Sequence, residues 1–314
     1  MSETRHVDTD RRTAAPIKAS STTVGWAALI AVWLLWGSTY DAIRVGVQEM
    51  PPLLMAGTRY LIAGAILLPI ATRGRRPDER PYRVVNWRTA AITGGLMLFG
   101  GNGLVSVSEQ TLPAGIAALL VATVPLWLVV LDAILARRMI RPVIAAGLVL
   151  GFAGVAVLVH PTASQRLDVA GVVLVLIASA AWAAGSLYSR KAPQPRRPFI
   201  TTGMQMLAGG LILLVAGTVT GEWAHLNVGH WSWSALLALA WLILPGSIVA
   251  LTAYVYALRA LPTSTVSTYA YVNPVIAVLI AWPLLGEHPS AQTAVAGVII
   301  VAAVALILRA GGRH

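Results

Sequence analysis

The sequence predicts an all-α integral membrane protein with ten transmembrane helices. Hydrophobic residues make up 57% of the 314 residues and charged residues only 11%, too few charges to cover the surface of a soluble protein of this length. Ten apolar stretches each have about the 17 to 25 residues that a helix needs to cross a bilayer. Because backbone polar groups in hydrocarbon must be paired within the chain, uniformly apolar spans of this length favour helices over membrane β-strands.

The spans follow one another with short polar connections. In order, we predict them at residues 24–44, 52–71, 89–106, 113–136, 142–159, 169–188, 199–219, 232–258, 264–284 and 293–308. Residues 1–23 are polar and carry both charge signs, so we expect a disordered cytoplasmic tail before the first span. A second, short cytoplasmic tail is expected at residues 310–314.

The basic residues indicate how the spans are oriented. If the amino terminus is cytoplasmic, the segments on that side hold 20 of the 23 Lys and Arg, and the outer segments hold only Arg44 and Arg166. Lys and Arg accumulate on cytoplasmic loops, so we expect both termini in the cytoplasm. Loop orientation and contact with anionic lipid also account for the net charge of +11, and we therefore expect no nucleic-acid partner.

The two halves of the chain resemble each other. Trp36 and Arg44 recur as Trp182 and Arg190 with the same spacing of eight, and three further short motifs recur in order at offsets of 145 to 150 residues. We interpret this as the duplication of a five-span unit, with repeats at residues 24–160 and 161–309. Because five is odd, the second repeat must be inverted in the membrane. Inverted repeats are typical of alternating-access transporters, whose solute site lies near the midplane between the repeats.

Four motifs are similar to those of a known transporter family. They are WGSTY at residues 36–40, GGNG at 100–103 leading to Glu109, Pro125, and YAYVNP at 269–274 followed by LGE at 285–287. They resemble the EamA-type branch of the drug/metabolite transporter superfamily, and most of all its YedA-like exporters. The resemblance implies ten helices in two inverted repeats, a place in the cytoplasmic membrane, and export of small metabolites or drugs. Asp41 and Asp132 depart from the family pattern, which has uncharged residues there.

Aromatic and polar side chains inside the spans are the candidates for solute binding. Trp36 and Trp182 lie deeper than an aromatic belt normally does, and Asn102, Ser106 and Glu109 form a polar stripe that would be costly against lipid. The alternatives are helix packing for the tryptophans and simple hydration at the outer interface for Glu109. The candidate substrate-binding residues are Trp36, Ser38, Tyr40, Arg59, Asn102, Ser106, Trp182, Gln205, Tyr254, Tyr271 and Asn273.

Four charged residues have more than one interpretation. Arg59 is the cation that lies well inside a span, and such a charge needs a partner. It either pairs with Asp41 or Glu109 or binds a substrate carboxylate. Asp41, Glu109 and Asp132 are candidates for coupling to protons, because a buried carboxyl group can bind and release them. For Asp132 the alternative is an ion pair with the neighbouring Arg137 or Arg138.

Proline and glycine mark two further features. Pro125 and Pro274 occupy corresponding mid-span positions, where each removes an N–H and frees a carbonyl group. We predict helix breaks there at a central site, with plain kinks as the alternative. Gly147 and Gly151 form a face of small residues that suits either a homodimer or internal packing, so we expect a monomer or a homodimer.

The leading functional hypothesis is a carrier for a small organic solute. The sequence contains no ATPase motif of the form G-x-x-x-x-G-K-[ST]. Transport must therefore be driven by an ion or solute gradient, with protons as the candidate ion, or have no energy source at all. The chain has no Cys, which excludes thiolate metal sites, and we expect no cofactor and no metal. The alternatives are a passive channel or scramblase, and an intramembrane enzyme, for which no GxGD or HExxH motif is present.

Overall fold

A computed structural model describes residues 19–73, 84–137, 139–160, 167–195, 197–266 and 268–311. These residues contain helices and no strands, which confirms the all-α prediction. Nine helices are at least 18 residues long and apolar enough to cross a membrane, and a tenth apolar helix is shorter. They are α1 Thr22–Val47, α2 Pro52–Thr72, α3 Val84–Ser108, α4 Ala114–Ala136, α5 Pro142–Val159, α6 Val169–Lys191, α7 Pro198–Val219, α8 Trp233–Leu258, α9 Tyr269–Leu285 and α10 Ala291–Ala310.

Residue types at the helix starts explain where the helices begin. Pro52, Pro142 and Pro198 are the first residues of α2, α5 and α7, a position where proline's missing N–H is harmless. Asp168 precedes α6, and its carboxylate accepts hydrogen bonds from the first free N–H groups of that helix. Ser232 caps α8 in the same way through its hydroxyl group.

Helices α3, α8 and α4 are irregular within their length. Helices α3 and α8 each contain a π-helical segment, at Gly94–Gly103 and Leu244–Val249. Helix α4 is interrupted at residues 122–123, just before Pro125. The break predicted at Pro274 is wrong, because Pro274 lies inside the continuous helix α9. The interruption in this region comes earlier, between the short helix Thr263–Val266 and α9.

The helices of the two halves pack in corresponding pairs. Helix α2 packs on α7, α4 on α9 and α5 on α10, while α1 packs on α8 as α3 packs on α6. Glycine permits the closest of these contacts: a Cβ on Gly64 would lie 3.1 Å from the carbonyl oxygen of Gly203, and one on Gly210 3.0 Å from that of Gly57. Gly147 faces Ile307 of α10, so its glycine face is used in packing within the chain.

The predicted tails fall mostly outside the described residues. Of the amino-terminal tail, residues 1–18 lie outside, and residues 19–23 are helical rather than disordered, since the helix begins at Ala19. At the other end the last helix continues to Gly311, and residues 312–314 lie outside.

Candidate functional site

A cavity of about 380 Å³ lies between the helices of the two halves. This volume suits one small molecule, since ligand pockets measure about 300 to 1,000 Å³. The sequence-predicted residues in the cavity wall are Trp36, Tyr40, Arg59, Asn102, Trp182, Gln205, Tyr254 and Asn273. Pro125 and Pro274 also belong to the wall.

Three of the predicted substrate-binding residues do not belong to the wall. The hydroxyl group of Ser38 accepts a hydrogen bond from the indole N–H of Trp241 at 3.0 Å. Ser106 is buried and donates to the backbone carbonyl of Asn102 at 2.9 Å. Tyr271 packs among the apolar side chains around Leu126. Each of these side chains therefore has a structural role away from the cavity.

An aromatic triad, defined here as Trp36, Tyr254 and Tyr269, forms one side of the wall. The ring of Trp36 lies 5.1 Å from Tyr254 and 5.3 Å from Tyr269, and the two tyrosine rings are 5.7 Å apart. Tyr269 was not among the sequence candidates. Its spacing of four residues from Asn273, which places both on one face of α9, was the signal that could have found it.

Asn273 presents an unsatisfied polar atom at this wall. Its side chain is 7% exposed, and its Oδ1 has no hydrogen-bond partner among the described residues. A buried acceptor without a donor is unfavourable. A solute with an N–H or O–H group would satisfy it.

Arg59 lies in the wall with neutral neighbours. Its side chain is 5% exposed, its Nε donates to Ser247 Oγ at 3.0 Å, and its guanidinium carbon lies 4.8 Å from the centre of the Tyr60 ring. Ser247 in turn donates to the backbone carbonyl of Leu242. Within the described part of the chain, Arg59 forms no ion pair with Asp41 or Glu109, which was one of the two interpretations of its sequence position.

A group of charged residues lies at the end of the bundle where α1 ends and α2 begins, called here the Arg44 end. Arg44 donates to the backbone carbonyl of Glu109, and its Nε lies 3.8 Å from Glu287 Oε1. The Glu287 carboxylate also accepts from the N–H groups of Ala114 and Gly115, at 3.1 and 3.4 Å. Arg44 and Glu287 thus join α1, the start of α4 and the segment that follows α9.

Two buried carboxyl groups lack partners near this end. Asp41 is 1% exposed and Glu109 is fully buried, and none of their four oxygen atoms has a hydrogen-bond partner in the described structure. Glu109 lies one residue beyond α3, and burial, together with the charge of Asp41, raises its pKa well above the usual range. The protonated carboxyl group therefore fits this position better than a carboxylate.

The third candidate for proton coupling, Asp132, is exposed on α4. Of its alternative ion pairs, the one with Arg137 does not form between these two described residues, and Arg138 lies outside the described part of the chain. Among the residues that the structure covers, no set of three or more His, Asp and Glu side chains could hold a metal ion.

Three more carboxylates bind backbone or hydroxyl groups at the Arg44 end. Glu222 accepts from the N–H groups of Leu53 and Leu54 at the start of α2, at 3.1 and 2.9 Å. Glu49 accepts from the Ser232 hydroxyl group, and this bond lowers the pKa of Glu49. Asp168 accepts from the Thr111 hydroxyl group at 2.8 Å, which likewise lowers its pKa.

The chain is similar to known proteins along most of its length. Residues 23–160 and 169–309 each match the EamA-like transporter family. The inner membrane transporter YedA of Escherichia coli (strain K12) is 39% identical over 285 residues, which cover 90% of each chain. A probable amino-acid metabolite efflux pump of Salmonella typhimurium is 25% identical over 289 residues, 88% of this chain and 92% of that one.

The fold has also been seen in a solved structure. A crystal structure of a protein with 22% sequence identity superposes with a TM-score of 0.59 and covers 92% of this chain and 96% of the other. At this identity the likeness concerns the fold alone.

Proposed function

The chain belongs to the EamA-like transporter family, and we propose that it exports small organic solutes by alternating access, driven by an ion or solute gradient. The family and the similarity to an inner membrane transporter identify a multi-pass transporter of the inner membrane rather than an enzyme. The observation that carries the finer proposal is the cavity between the two halves. Export as the direction is supported by the relative named as an efflux pump.

The moving parts in this proposal are two inverted five-helix repeats, residues 24–160 and 161–309, with both termini in the cytoplasm. Corresponding helices share irregularities, which supports a duplication: α3 and α8 both contain π-helical segments, and α4 and α9 both end in a left-handed residue, Arg137 and Gly286. The corresponding packing pairs also support a duplication. Transport would then proceed by rocking one repeat against the other around the cavity.

The cavity wall suits an amphipathic or aromatic solute. The aromatic triad and Trp182 offer flat apolar faces, while the amides of Asn102 and Gln205 offer hydrogen bonds. Pro125 and Pro274 supply no N–H to the carbonyl groups of residues 121 and 270, and both of those residues also belong to the wall. An amino-acid-like metabolite would contact the aromatic faces, the amide groups and the free carbonyl groups. This agrees with the substrate class in the name of the Salmonella relative.

Protons are the coupling ion in this proposal, and Asp41 and Glu109 bind them. Both carboxyl groups are buried without partners, and Arg44, which joins the two repeats, donates to the backbone of Glu109 itself. A change in the charge of either group would act directly on the contacts of the Arg44 end. Asp132 is left out of the coupling site because it is exposed.

Flux measurements in proteoliposomes test the carrier. Saturable counterflow of amino acids or aromatic metabolites is expected, and flux that does not saturate would indicate a channel instead. Trp36→Ala and Asn273→Ala should each lower flux by about tenfold, because each removes a contact to the solute. Trp26→Ala is the matched control, since Trp26 is an exposed tryptophan of the same helix. Normal flux in both wall variants would overturn the proposed site.

A further inference from the structure

Arg59 carries the charge of the cavity wall. The wall residues contain no Asp, Glu, Lys or His, so within the described structure a solute in the cavity meets one charged side chain, the Arg59 guanidinium. Asp41 and Glu109 lie outside the wall. The electrostatic character of the cavity is therefore that of a single buried cation.

The neighbours of Arg59 hold the guanidinium group without neutralising it. Ser247 accepts from Nε, and the Tyr60 ring lies beside the guanidinium carbon. The Nη atoms have no hydrogen-bond partner among the described residues. Ser247 is itself 3% exposed and fixed to the carbonyl of Leu242 at 2.8 Å, so the orientation of the guanidinium plane is set by buried contacts.

The buried carboxyl groups near Arg59 do not pair with it. Within the described structure the ion pair at the Arg44 end joins Arg44 and Glu287, and neither Asp41 nor Glu109 lies within ion-pair distance of Arg59. A buried cation that lacks a counter-charge is costly, so Arg59 calls for an anion from outside the protein.

We infer that the cavity binds organic monoanions, with the solute carboxylate on the free Nη side of Arg59 and the apolar body against the aromatic triad. This inference rests on the proposed function and narrows it to carboxylic acids. An arginine binds a carboxylate through two parallel N–H···O bonds, and the bond from Nε to Ser247 leaves the Nη atoms for that purpose. A solute amine of similar shape would be repelled, and an alcohol would leave the cation uncompensated.

Three probes of equal size separate these solute classes: 3-phenylpropionate, 3-phenylpropanol and 3-phenylpropylamine. Binding to the purified full chain can be followed by tryptophan fluorescence, since Trp36 and Trp182 lie in the wall. We expect the acid to bind at least about tenfold more tightly than the alcohol, the ratio that a charge-assisted hydrogen bond provides, and the amine to bind most weakly.

Substitutions then connect this preference to Arg59. Arg59→Gln should remove the preference for the acid, and Arg59→Lys should keep part of it. Arg88→Gln is the matched control, because Arg88 is an exposed arginine on α3. Ser247→Ala keeps the charge but frees Nε, and we expect it to weaken acid binding by several-fold and so to reduce the preference for the acid over the alcohol. Unfolding temperature and elution volume report whether each variant is folded.

The inference is overturned if the folded wild-type protein binds the alcohol or the amine as tightly as the acid, or does not bind the acid. It is also overturned if folded Arg59→Gln keeps the acid preference. Saturable counterflow of the amine or the alcohol without the acid would refute the anion class and leave the carrier intact. Loss of saturable flux for every class would instead refute the proposed function.

Discussion

At each end of the helix bundle the helices are joined by side-chain hydrogen bonds, but the two ends use side chains of opposite charge. At the Arg44 end, Glu222 and Glu287 from the second half accept hydrogen bonds from N–H groups that begin α2 and α4 in the first half. At the other end, Arg141 and Arg197 donate to backbone carbonyl groups, those of Ala310 and of residues near the end of α2. Carboxylates thus bind helix starts at one end, and arginines bind helix ends at the other, as the helix dipole favours.

This difference shows that the two ends of the bundle are not equivalent. In the sequence, the position of Glu287 corresponds to Arg138 in the first half, so the carboxylate has a basic counterpart. A carboxylate loses its charge within reach of ordinary acidity, whereas a guanidinium group does not. Protons can therefore act on the contacts of the Arg44 end and leave those of the opposite end unchanged.

The largest expected effect is on the proton dependence of flux, and it tests whether protons act at the Arg44 end. Asp41→Asn and Glu109→Gln should each abolish the stimulation of flux by a proton gradient, because each removes a buried carboxyl group to which the proposed mechanism assigns the proton. The measurement is flux in proteoliposomes with and without an imposed pH difference. Asp132→Asn, at an exposed carboxylate of α4, should respond like the wild type. Unchanged stimulation in both buried variants would place the coupling ion elsewhere.

A smaller effect is expected on stability. Glu287→Ala removes two hydrogen bonds to the start of α4 and the contact with Arg44, and we expect it to lower the free energy of unfolding by about 1–3 kcal/mol. Glu222→Ala removes two such bonds but no arginine contact, and it should cost less. Denaturant unfolding in detergent measures both values.

The control for these variants comes from the opposite end. Arg141→Ala removes an exposed bond to a carbonyl group and should change the free energy of unfolding by less than about 0.5 kcal/mol. An Arg141 variant as destabilised as the Glu287 variant would mean that the two ends are held equally firmly.

The smallest expected effect is the fall of the unfolding temperature at acidic pH. Hydrogen bonds from Ser232 and Thr111 hold the pKa values of Glu49 and Asp168 below their ordinary values of 4.5 and 3.8. Both carboxylates therefore stabilise the folded state above those values, and this contribution is lost as the pH falls through the lower folded-state pKa. We expect the unfolding temperature to fall in that acid range and to fall less in Asp168→Asn. An equal decline in the variant would contradict the assignment.

The sequence predicted the helices because hydrophobicity and length are local properties. All ten predicted spans overlap apolar helices of the structure. The break expected at Pro274 is wrong because a membrane helix can continue past a proline when its surroundings tolerate the missing N–H. The local pattern around Pro274 contains no information about those surroundings.

The cavity wall was harder to predict because it depends on how each helix is rotated. One residue along a helix turns a side chain by about 100°, so Ser38 lies outside the wall while Thr39 and Tyr40 lie in it. Ser106 bonds the backbone of its own helix, an alternative that serine always has in apolar surroundings. Ser247 and Tyr269 have their roles only through contacts with α1 and α2, which lie far away in the sequence.

The π-helical segments of α3 and α8 give each of these helices one residue more than an α-helix with the same number of turns would have. A π turn holds one residue more than an α turn. Rewinding Gly94–Gly103 or Leu244–Val249 into an α-helix would therefore rotate the part of the helix beyond that segment by about 100° about the helix axis. Asn102 and Ser247 lie within those segments. Such a rewinding would therefore present different side chains to the cavity on one side of the segment, and it would turn the helix end on that side as well.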